Sequence, residues 1–447
     1  MLDTQLTEVS LGLPVVAVLG RPNVGKSTLF NRLAGTGKAV VDDTPGVTRD
    51  RNYAVVETYG REYVIVDTGG LVLDSREGIE LTITKQAEIA AREADLIILL
   101  IEKIITPEDV AISRKFRKED LPVLLVVNKV DRGRDDLDVL EAWNLGLGEP
   151  IPISAKNGRG VADMLSILAE KLPEEGKGEQ PHSETRIAIV GKPNVGKSSF
   201  VNRLLGEEKL VVDATPGTTR DAIDTPFRYN DKEWVLTDTA GLFKKRQVGI
   251  DYYSSLRTVT AIKHSDIVFQ LIDVSEPFTT QDKRIAGMAI DFYKGIVIGL
   301  NKWDLIESDE KASARIEREI KEADPFLNFV PFITISALTG KRVVKVLELL
   351  DQVAIERKRR IPTSELNDLI SSEVSRMPPP IVMGKRSKIL YVTQEQADPP
   401  IFIFFCKGAK YVPRSYKRFL SNVIRRQYGF IGVPFKMVFR ERKSCEL

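Results

Sequence analysis

The chain has 447 residues, 43% of them apolar and 29% charged, and no apolar run approaches the roughly 18 residues of a membrane span; this is the make-up of a soluble globular protein of about two to four domains. Two cysteines (Cys406 and Cys445) and two histidines (His182 and His264) are too few for a disulfide framework or a Cys/His zinc site, so a reducing cytoplasm is the expected compartment. The net charge of +2 is uneven: residues 361–447 hold 15 Lys and Arg against 7 Asp and Glu, a net of +8, which leaves −6 for the rest.

Residues 1–13 form an N-terminal tail without the positive and apolar regions of a signal peptide. PVVAVLG (14–20) then reads as a strand buried on both faces. It runs into Gly20, Arg21, Pro22, Asn23, Val24, Gly25, Lys26 and Ser27, a match to G-x-x-x-x-G-K-[ST] that opens a helix. In that context the loop's backbone N–H groups cradle a β-phosphate, Lys26 reaches the β- and γ-oxygens, and Ser27 ligates Mg2+. Asn23 has two readings: a side-chain oxygen for a monovalent cation, or an Asn turn that stiffens the loop.

In GVTRD, Thr48 is suited to cap Mg2+ when a switch loop closes over the γ-phosphate. YVIVDT (63–68) is the next buried strand, and it ends on Asp67, Thr68, Gly69, Gly70 and Leu71. There Asp67 can hold Mg2+ through water, and a glycine N–H can sense the γ-phosphate. A glutamine after D-x-x-G would orient an attacking water, but Leu71 stands there, so slow hydrolysis helped by a cation or a partner is expected. LIILLI (96–101) and PVLLVVN (122–128) complete the strands, with helical stretches between.

Asn128, Lys129, Val130 and Asp131 specify the base. A carboxylate at Asp131 accepts both N1–H and the 2-amino group of guanine, a pair adenine does not offer, and it would be left unpaired against adenine. Asn128 would tie base and phosphate loop together, while Ser154, Ala155 and Lys156 sit where a backbone N–H meets guanine O6. Residues 14–171 thus make one α/β GTPase domain, closed by the Pro/Gly/Glu-rich linker 172–185.

The chain then repeats itself over residues 186–360, at an offset that starts at 171 and reaches 173 at Asn128 and Asn301 and 182 at Ser154 and Ser336. Gly191, Lys192, Pro193, Asn194, Val195, Gly196, Lys197 and Ser198 form the second phosphate loop, and Thr219 the second switch threonine. Asp238, Thr239, Ala240, Gly241 and Leu242 follow, then Asn301, Lys302, Trp303 and Asp304, then Ser336, Ala337 and Leu338. The offset is still 171 at Glu102 and Asp273 but 173 at Asp109 and Asp282, so the first half is shorter in that loop. Two GTP/GDP sites result, each with Mg2+ on Ser27, Thr48 and Asp67 or on Ser198, Thr219 and Asp238. Lys26, Ser27, Thr48, Lys197, Ser198 and Thr219 are the groups expected to act in hydrolysis.

After Pro362 the pattern changes to helix (IPTSELNDLISSEV), strands (387–394 and 400–407), a basic helix (412–428) and a last strand (433–440). From Lys407 to Lys443 there are 11 Lys and Arg against one acid, interleaved with Tyr411, Tyr416, Tyr428 and Phe430. Most of these rings are expected in the core, and the charge points to RNA. Lys407, Lys410, Arg414, Lys417, Arg418, Arg425 and Arg426 are the contact candidates.

Together the paired PNVGKS, PG[VT]TRD, DT[GA]GL, NK[VW]D and SA[KL], with IPTSELN, YVTQ and the RSYKRFLSN to VPFKMVFR tail, resemble the double-Era GTPases, the Der (EngA) family of bacterial ribosome-assembly factors. The resemblance implies two tandem P-loop (Ras/Era-like) domains with mostly parallel sheets and, over 361–447, a KH-like domain, here without an evident GxxG loop. It implies binding to the large ribosomal subunit and its rRNA during maturation, switched by GTP, and K+-stimulated hydrolysis carried onto Asn23 and Asn194. The chain departs from the family in the shortened IEKIITPED (101–109), which should leave nucleotide binding intact, and in Phe243 of the second switch. DNA, a membrane and a second copy are not expected as partners. Two other readings are a clamp in which one half binds GTP without turnover, and a switch for a protein or membrane surface.

Overall fold

The computed structural model describes residues 13–36, 53–67, 94–118, 121–131, 133–173, 184–206, 210–212, 224–237, 254–306 and 311–441. The chain divides into two compact units, one of Met1–His182 with Lys244–His264 and one of Ser183–Phe243 with Ser265–Leu447.

In the first unit, β1 (Val15–Leu19), β3 (Arg61–Asp67), β4 (Leu96–Ile101), β5 (Val123–Val127) and β6 (Ile151–Pro152) are parallel, and β2 (Tyr53–Thr58) pairs antiparallel with β3. The strand order is β2-β3-β1-β4-β5-β6. Every residue of β1, β4 and β5 is buried, because α1 (Lys26–Thr36), α2 (Pro107–Lys118) and α3 (Val161–Lys171) leave these strands no face to solvent. Two of the helices carry terminal signals that read directly from sequence. Pro107 opens α2, with Glu108 and Asp109 in its first turn and Lys115, Arg117 and Lys118 in its last, as the helix dipole favours. Leu172 and Pro173 follow α3, and their carbonyls accept from Arg61.

The helix α5 (Ser254–Lys263) also belongs to this unit. Its Lys263 Nζ donates to Asp95 Oδ2 at 3.1 Å, and the same oxygen accepts from Val15 N at 2.7 Å. In the second unit Asp266 repeats the backbone part of this arrangement, accepting from Arg186 N at 2.8 Å.

The second unit's large sheet has the order β13-β12-β11-β7-β10-β9-β8. Its members are β7 (Thr185–Val190), β8 (Val211–Val212), β9 (Thr225–Tyr229), β10 (Lys232–Thr237), β11 (Ile267–Asp273), β12 (Gly295–Asn301) and β13 (Phe332–Thr334), and only β8–β9 and β9–β10 are antiparallel. The helices are α4 (Lys197–Leu205), α6 (Thr280–Asp291), α7 (Ala312–Ala323) and α8 (Val343–Arg357). A Thr279/Asp282 capping box opens α6.

The same unit continues through α9 (Thr363–Arg376), the hairpin β14 (Ile381–Val382) and β15 (Lys385–Arg386), β16 (Lys388–Gln396), β17 (Ile401–Lys407), α10 (Arg414–Tyr428) and β18 (Lys436–Glu441). β16 and β17 are antiparallel, β17 and β18 parallel. One uninterrupted apolar core runs from Ile187 and Phe269 through Leu347 and Val353 to Phe402, Phe404, Leu420 and Phe435. The seam is also hydrogen-bonded. Ile296 N donates to Gly432 O and Gly432 N to Phe329 O, each at 2.7 Å, and Phe430 N donates to Glu356 Oε2 at 3.0 Å. Arg357, buried, donates to Tyr293 O at 2.9 Å and to Asp398.

Gly432 makes this seam possible. Its φ is +69°, and a Cβ there would lie 2.7 Å from Val353 Cγ2 and 2.9 Å from Ile296 O. Gly432→Ala is therefore expected to cost about 2 kcal/mol and to lower the calorimetric midpoint of the second unit by roughly 5 °C. An unchanged midpoint would show that the 430–433 turn is not held as drawn.

Candidate functional site: two repeated phosphate and base loops

Each half brings three loops together at the carboxyl ends of its parallel strands, the usual crevice of such sheets. In the first half the phosphate loop leaves β1 at Gly20 and enters α1 at Lys26. Asn128 follows β5, and Ser154 follows β6. Asn128 Nδ2 donates to Val24 O at 2.7 Å, while its Oδ1 accepts from Ala155 N at 2.9 Å. Asn301 does the same between Val195 O and Ala337 N, at 2.7 and 2.9 Å. Both amides are buried. Gly25 and Gly196, at φ +100° and +96°, are the reason the contact fits: a Cβ on either would lie 2.3 Å from the asparagine Nδ2.

The base-loop carboxylates are held from one side. Ser154 Oγ donates to Asp131 Oδ1 at 2.6 Å and Asn157 Nδ2 to the same oxygen at 3.0 Å. Ser336 Oγ donates to Asp304 Oδ1 at 2.5 Å. Both aspartates remain exposed, free on their other edge to accept two parallel N–H donors. Val130 is buried and Trp303 half-buried beneath this loop, with Val130 N on Ile153 O and Trp303 N on Ile335 O. Lys129 and Lys302 adopt left-handed backbone and pair with Glu102 and Asp273. Lys156 and Leu338 are exposed, and their carbonyls accept from Arg32 and Arg203. Those arginines recur at the repeat offset of 171, a signal that motif reading passes over because both lie inside helices.

Lys26 Nζ folds back onto the loop, donating to Gly20 O at 2.8 Å and Arg21 O at 2.7 Å. Lys197 does likewise on Gly191 O and Lys192 O, at 2.7 and 2.6 Å. In both loops these two carbonyls seat the ammonium. Burial pulls the Lys26 pKa down to about 8, against the raising pull of Asp67. Pro22 and Pro193 are exposed, as are Asn23 and Asn194, whose φ of +65° and +63° is a conformation asparagine tolerates well. The positive φ accounts for asparagine here whether or not a cation binds.

Of the expected Mg2+ ligands, Ser27 and Ser198 stand exposed in the first turns of α1 and α4, and Asp67 is buried at the end of β3 opposite Val18. Hydroxyl and carboxylate are the hard oxygen donors Mg2+ takes. Among the described residues there is no group of three or more His, Cys, Asp and Glu that could hold a metal. Thr48, Thr68, Gly69, Gly70 and Leu71, and Thr219, Asp238, Thr239, Ala240, Gly241, Leu242 and Phe243, lie outside the described residues.

On the C-terminal module Lys407, Lys410, Arg414, Arg418 and Arg426 are exposed and Lys417 half-buried. Arg425 requires a correction. Its guanidinium lies between the rings of Phe329 (3.8 Å) and Phe435 (4.4 Å) and donates to Phe430 O and Val433 O. Burial pulls its pKa down to about 9, so it remains charged at neutral pH, but it is spent on the seam and cannot meet a phosphate. Of Tyr411, Tyr416, Tyr428 and Phe430, Tyr416 and Phe430 are in the core, with Tyr416 Oη donating to Met377 O at 2.6 Å. Tyr411 instead lies beneath Lys385 and Lys410, 5.4 and 5.2 Å from its centroid.

The chain is similar to known GTPases along nearly its whole length. The family described as 50S ribosome-binding GTPase matches twice, over residues 15–129 and 186–302, and the KH-domain-like C-terminal family of EngA bacterial GTPase enzymes matches 360–440. The GTPase Der of Thermomicrobium roseum is 46% identical over 445 residues, covering 96% of each chain. That of Desulfitobacterium hafniense (strain DSM 10664 / DCB-2) is 45% identical over 434 residues, covering 96% of this chain and 98% of the relative. Among solved structures, Era in complex with MgGDPNP and a 16S ribosomal RNA fragment overlaps at 19% identity and a TM-score of 0.30, over 59% of this chain and 95% of that one.

The lowered pKa of Lys26 has a binding consequence with a definite sign. A bound phosphate favours the ammonium, so binding takes up a proton wherever the free site has lost it. Affinity at the first site is then level below about pH 7 and falls as the pH rises through 8. Titration with a fluorescent GDP analogue from pH 6.5 to 9.5, with the second site disabled by Lys197→Ala, checks this; an affinity level across that range would contradict it.

Proposed function

The chain belongs to the GTPase Der family and is a GTP hydrolase with two G domains, and from that premise we propose that it works in maturation of the large ribosomal subunit, binding rRNA through its C-terminal module under the control of two guanine-nucleotide sites. The carrying observation is the repetition of one three-loop arrangement in both halves, down to the asparagine that joins phosphate loop to Ser-Ala loop. Each site would take GTP or GDP. Asp131 and Asp304 would select guanine, Lys26 and Lys197 would leave their loop carbonyls for the phosphates, and Ser27, Asp67 and Ser198 would hold Mg2+ with Thr48, Thr219 and Asp238. Bound Mg2+ supplies charge neutralisation on the β- and γ-phosphates.

Leu71 and Leu242 offer no amide to orient water, so the intrinsic rate would be slow and raised by K+ at Asn23 and Asn194 or by the ribosome. The description of the matching family as 50S ribosome-binding supports the choice of the large subunit. Lys407, Lys410, Arg414, Lys417, Arg418 and Arg426 would meet RNA phosphates. The proposed setting is a cytoplasmic monomer. Among the described residues no helix is long and apolar enough to cross a membrane.

Sucrose-gradient co-sedimentation with large ribosomal subunits, with GDP, a non-hydrolysable GTP analogue or no nucleotide, tests the proposal. Binding confined to the analogue is expected; equal binding in all three states breaks the gate, and none in any state removes the ribosome. Lys26→Ala and Lys197→Ala are each expected to remove part of the phosphate release. Turnover wholly lost in one and untouched in the other would mean that only one half hydrolyses GTP.

A further inference from the structure

In both halves the stretch from the end of the third parallel strand (β4 or β11) into the start of the next helix carries anions that meet the cations of both nucleotide loops. In the first half, Glu102 pairs with Lys129 of the base loop, and seven residues on Asp109 takes Arg21 of the phosphate loop. Arg21 Nε lies 3.1 and 3.0 Å from the two Asp109 oxygens, and its Nη2 approaches Ile104 O at 3.5 Å. In the second half, Asp273 pairs with Lys302, while Lys192 Nζ lies 3.1 Å from both Glu276 Oε2 and Asp282 Oδ2. The two extra residues of this loop bring in a second carboxylate for lysine, where the shorter first loop serves arginine with one carboxylate and a carbonyl.

Asp109 and Asp282 are fully buried. Each is fixed by its own helix start, accepting from Thr106 N and Oγ1 (3.0 Å each) or from Thr279 N and Oγ1 (2.9 and 2.7 Å). A buried carboxylate without a cation is costly, so the pair constrains the loop residue as firmly as the helix constrains the aspartate. Arg21 and Lys192 in turn are the residues whose carbonyls seat Lys26 and Lys197.

We propose that Asp109 and Asp282 are positioning residues for nucleotide, and that each crossover is a strap tying its phosphate loop to its base loop. The strap acts through Arg21 or Lys192 at one end and Lys129 or Lys302 at the other. This rests on reading the loops as guanine-nucleotide sites. It also accounts for how the shortened 101–109 segment can serve a site: it keeps both anions, Glu102 and Asp109.

The test measures release of N-methylanthraniloyl-GDP from the full chain by stopped flow, with the other site disabled by Lys197→Ala or Lys26→Ala. Asp109→Asn and Asp282→Asn are expected to speed release from their own site about tenfold. Thr106→Val and Thr279→Val, which cut a cap hydroxyl but leave the ion pair, are expected to lower the thermal midpoint and leave release unchanged. Arg21→Lys, the residue type the second half uses there, retains slow release. Arg21→Met reproduces the fast release and serves if Asp109→Asn does not fold. Release at the parental rate from both Asp109→Asn and Arg21→Met, or equal acceleration by Thr106→Val, overturns the strap. A parental chain that retains no GDP overturns the nucleotide reading itself.

Discussion

The bond from a buried asparagine amide to the carbonyl of the phosphate loop is the constraint around which each half is arranged. Asn128 and Asn301 use both ends of the side-chain amide, the nitrogen on Val24 or Val195 and the oxygen on Ala155 or Ala337, so one residue sets the spacing of three loops. The approach leaves no room for a Cβ on Gly25 or Gly196, so the glycine of the motif is needed by the protein itself as well as by a phosphate. The strands follow from the same requirement. β1 and β5, and likewise β7 and β12, must end at a common edge for such a bond to close, which parallel strands with short carboxyl-end loops provide.

The fold was largely legible because its central strands are apolar without alternation, and only a sheet covered on both faces calls for that. The antiparallel β2 and β9 were not seen, nor were the short β6, β8 and β13. TPFRY of β9 carries Pro226 and alternates in burial, a weak signal beside LIILLI. Within the C-terminal module the helices and long strands read correctly, whereas the two-residue β14 and β15 are too short to leave any pattern. The loops of the site were legible as motifs, since each is contiguous. What joins them was not: Arg21 and Asp109 are 88 residues apart and Arg32 and Ala155 123, and the repeat does not even keep such spacings, since Lys192 and Asp282 are 90 apart.

Charge was the least reliable guide. The stretch from Lys407 to Lys443 reads as one basic surface, and among its described cations Lys407, Lys410, Arg414, Arg418 and Arg426 are exposed. Arg425 sits on the inward stripe of α10 with Tyr416, Leu420, Val423 and Ile424, where packing and carbonyl acceptors decide its role. A guanidinium between two rings combines a large apolar contact with five donors, and a seam made of loop carbonyls and phenylalanines can use both. Composition cannot separate such an arginine from its neighbour Arg426. Helical position can, since one faces the stripe and the other faces solvent.

That seam bears on how a nucleotide state could reach RNA. β12 delivers Asn301 at its carboxyl end, and at its amino end Ile296 N is bonded to Gly432 of the C-terminal module. The helix α8, which follows the Ser-Ala loop, ends at Arg357 and Glu356, and both bond across the same seam. The second base loop and the basic module therefore share a strand, a helix and one apolar core, with no linker of flexible composition between them. A packed core transmits displacement rather than absorbing it.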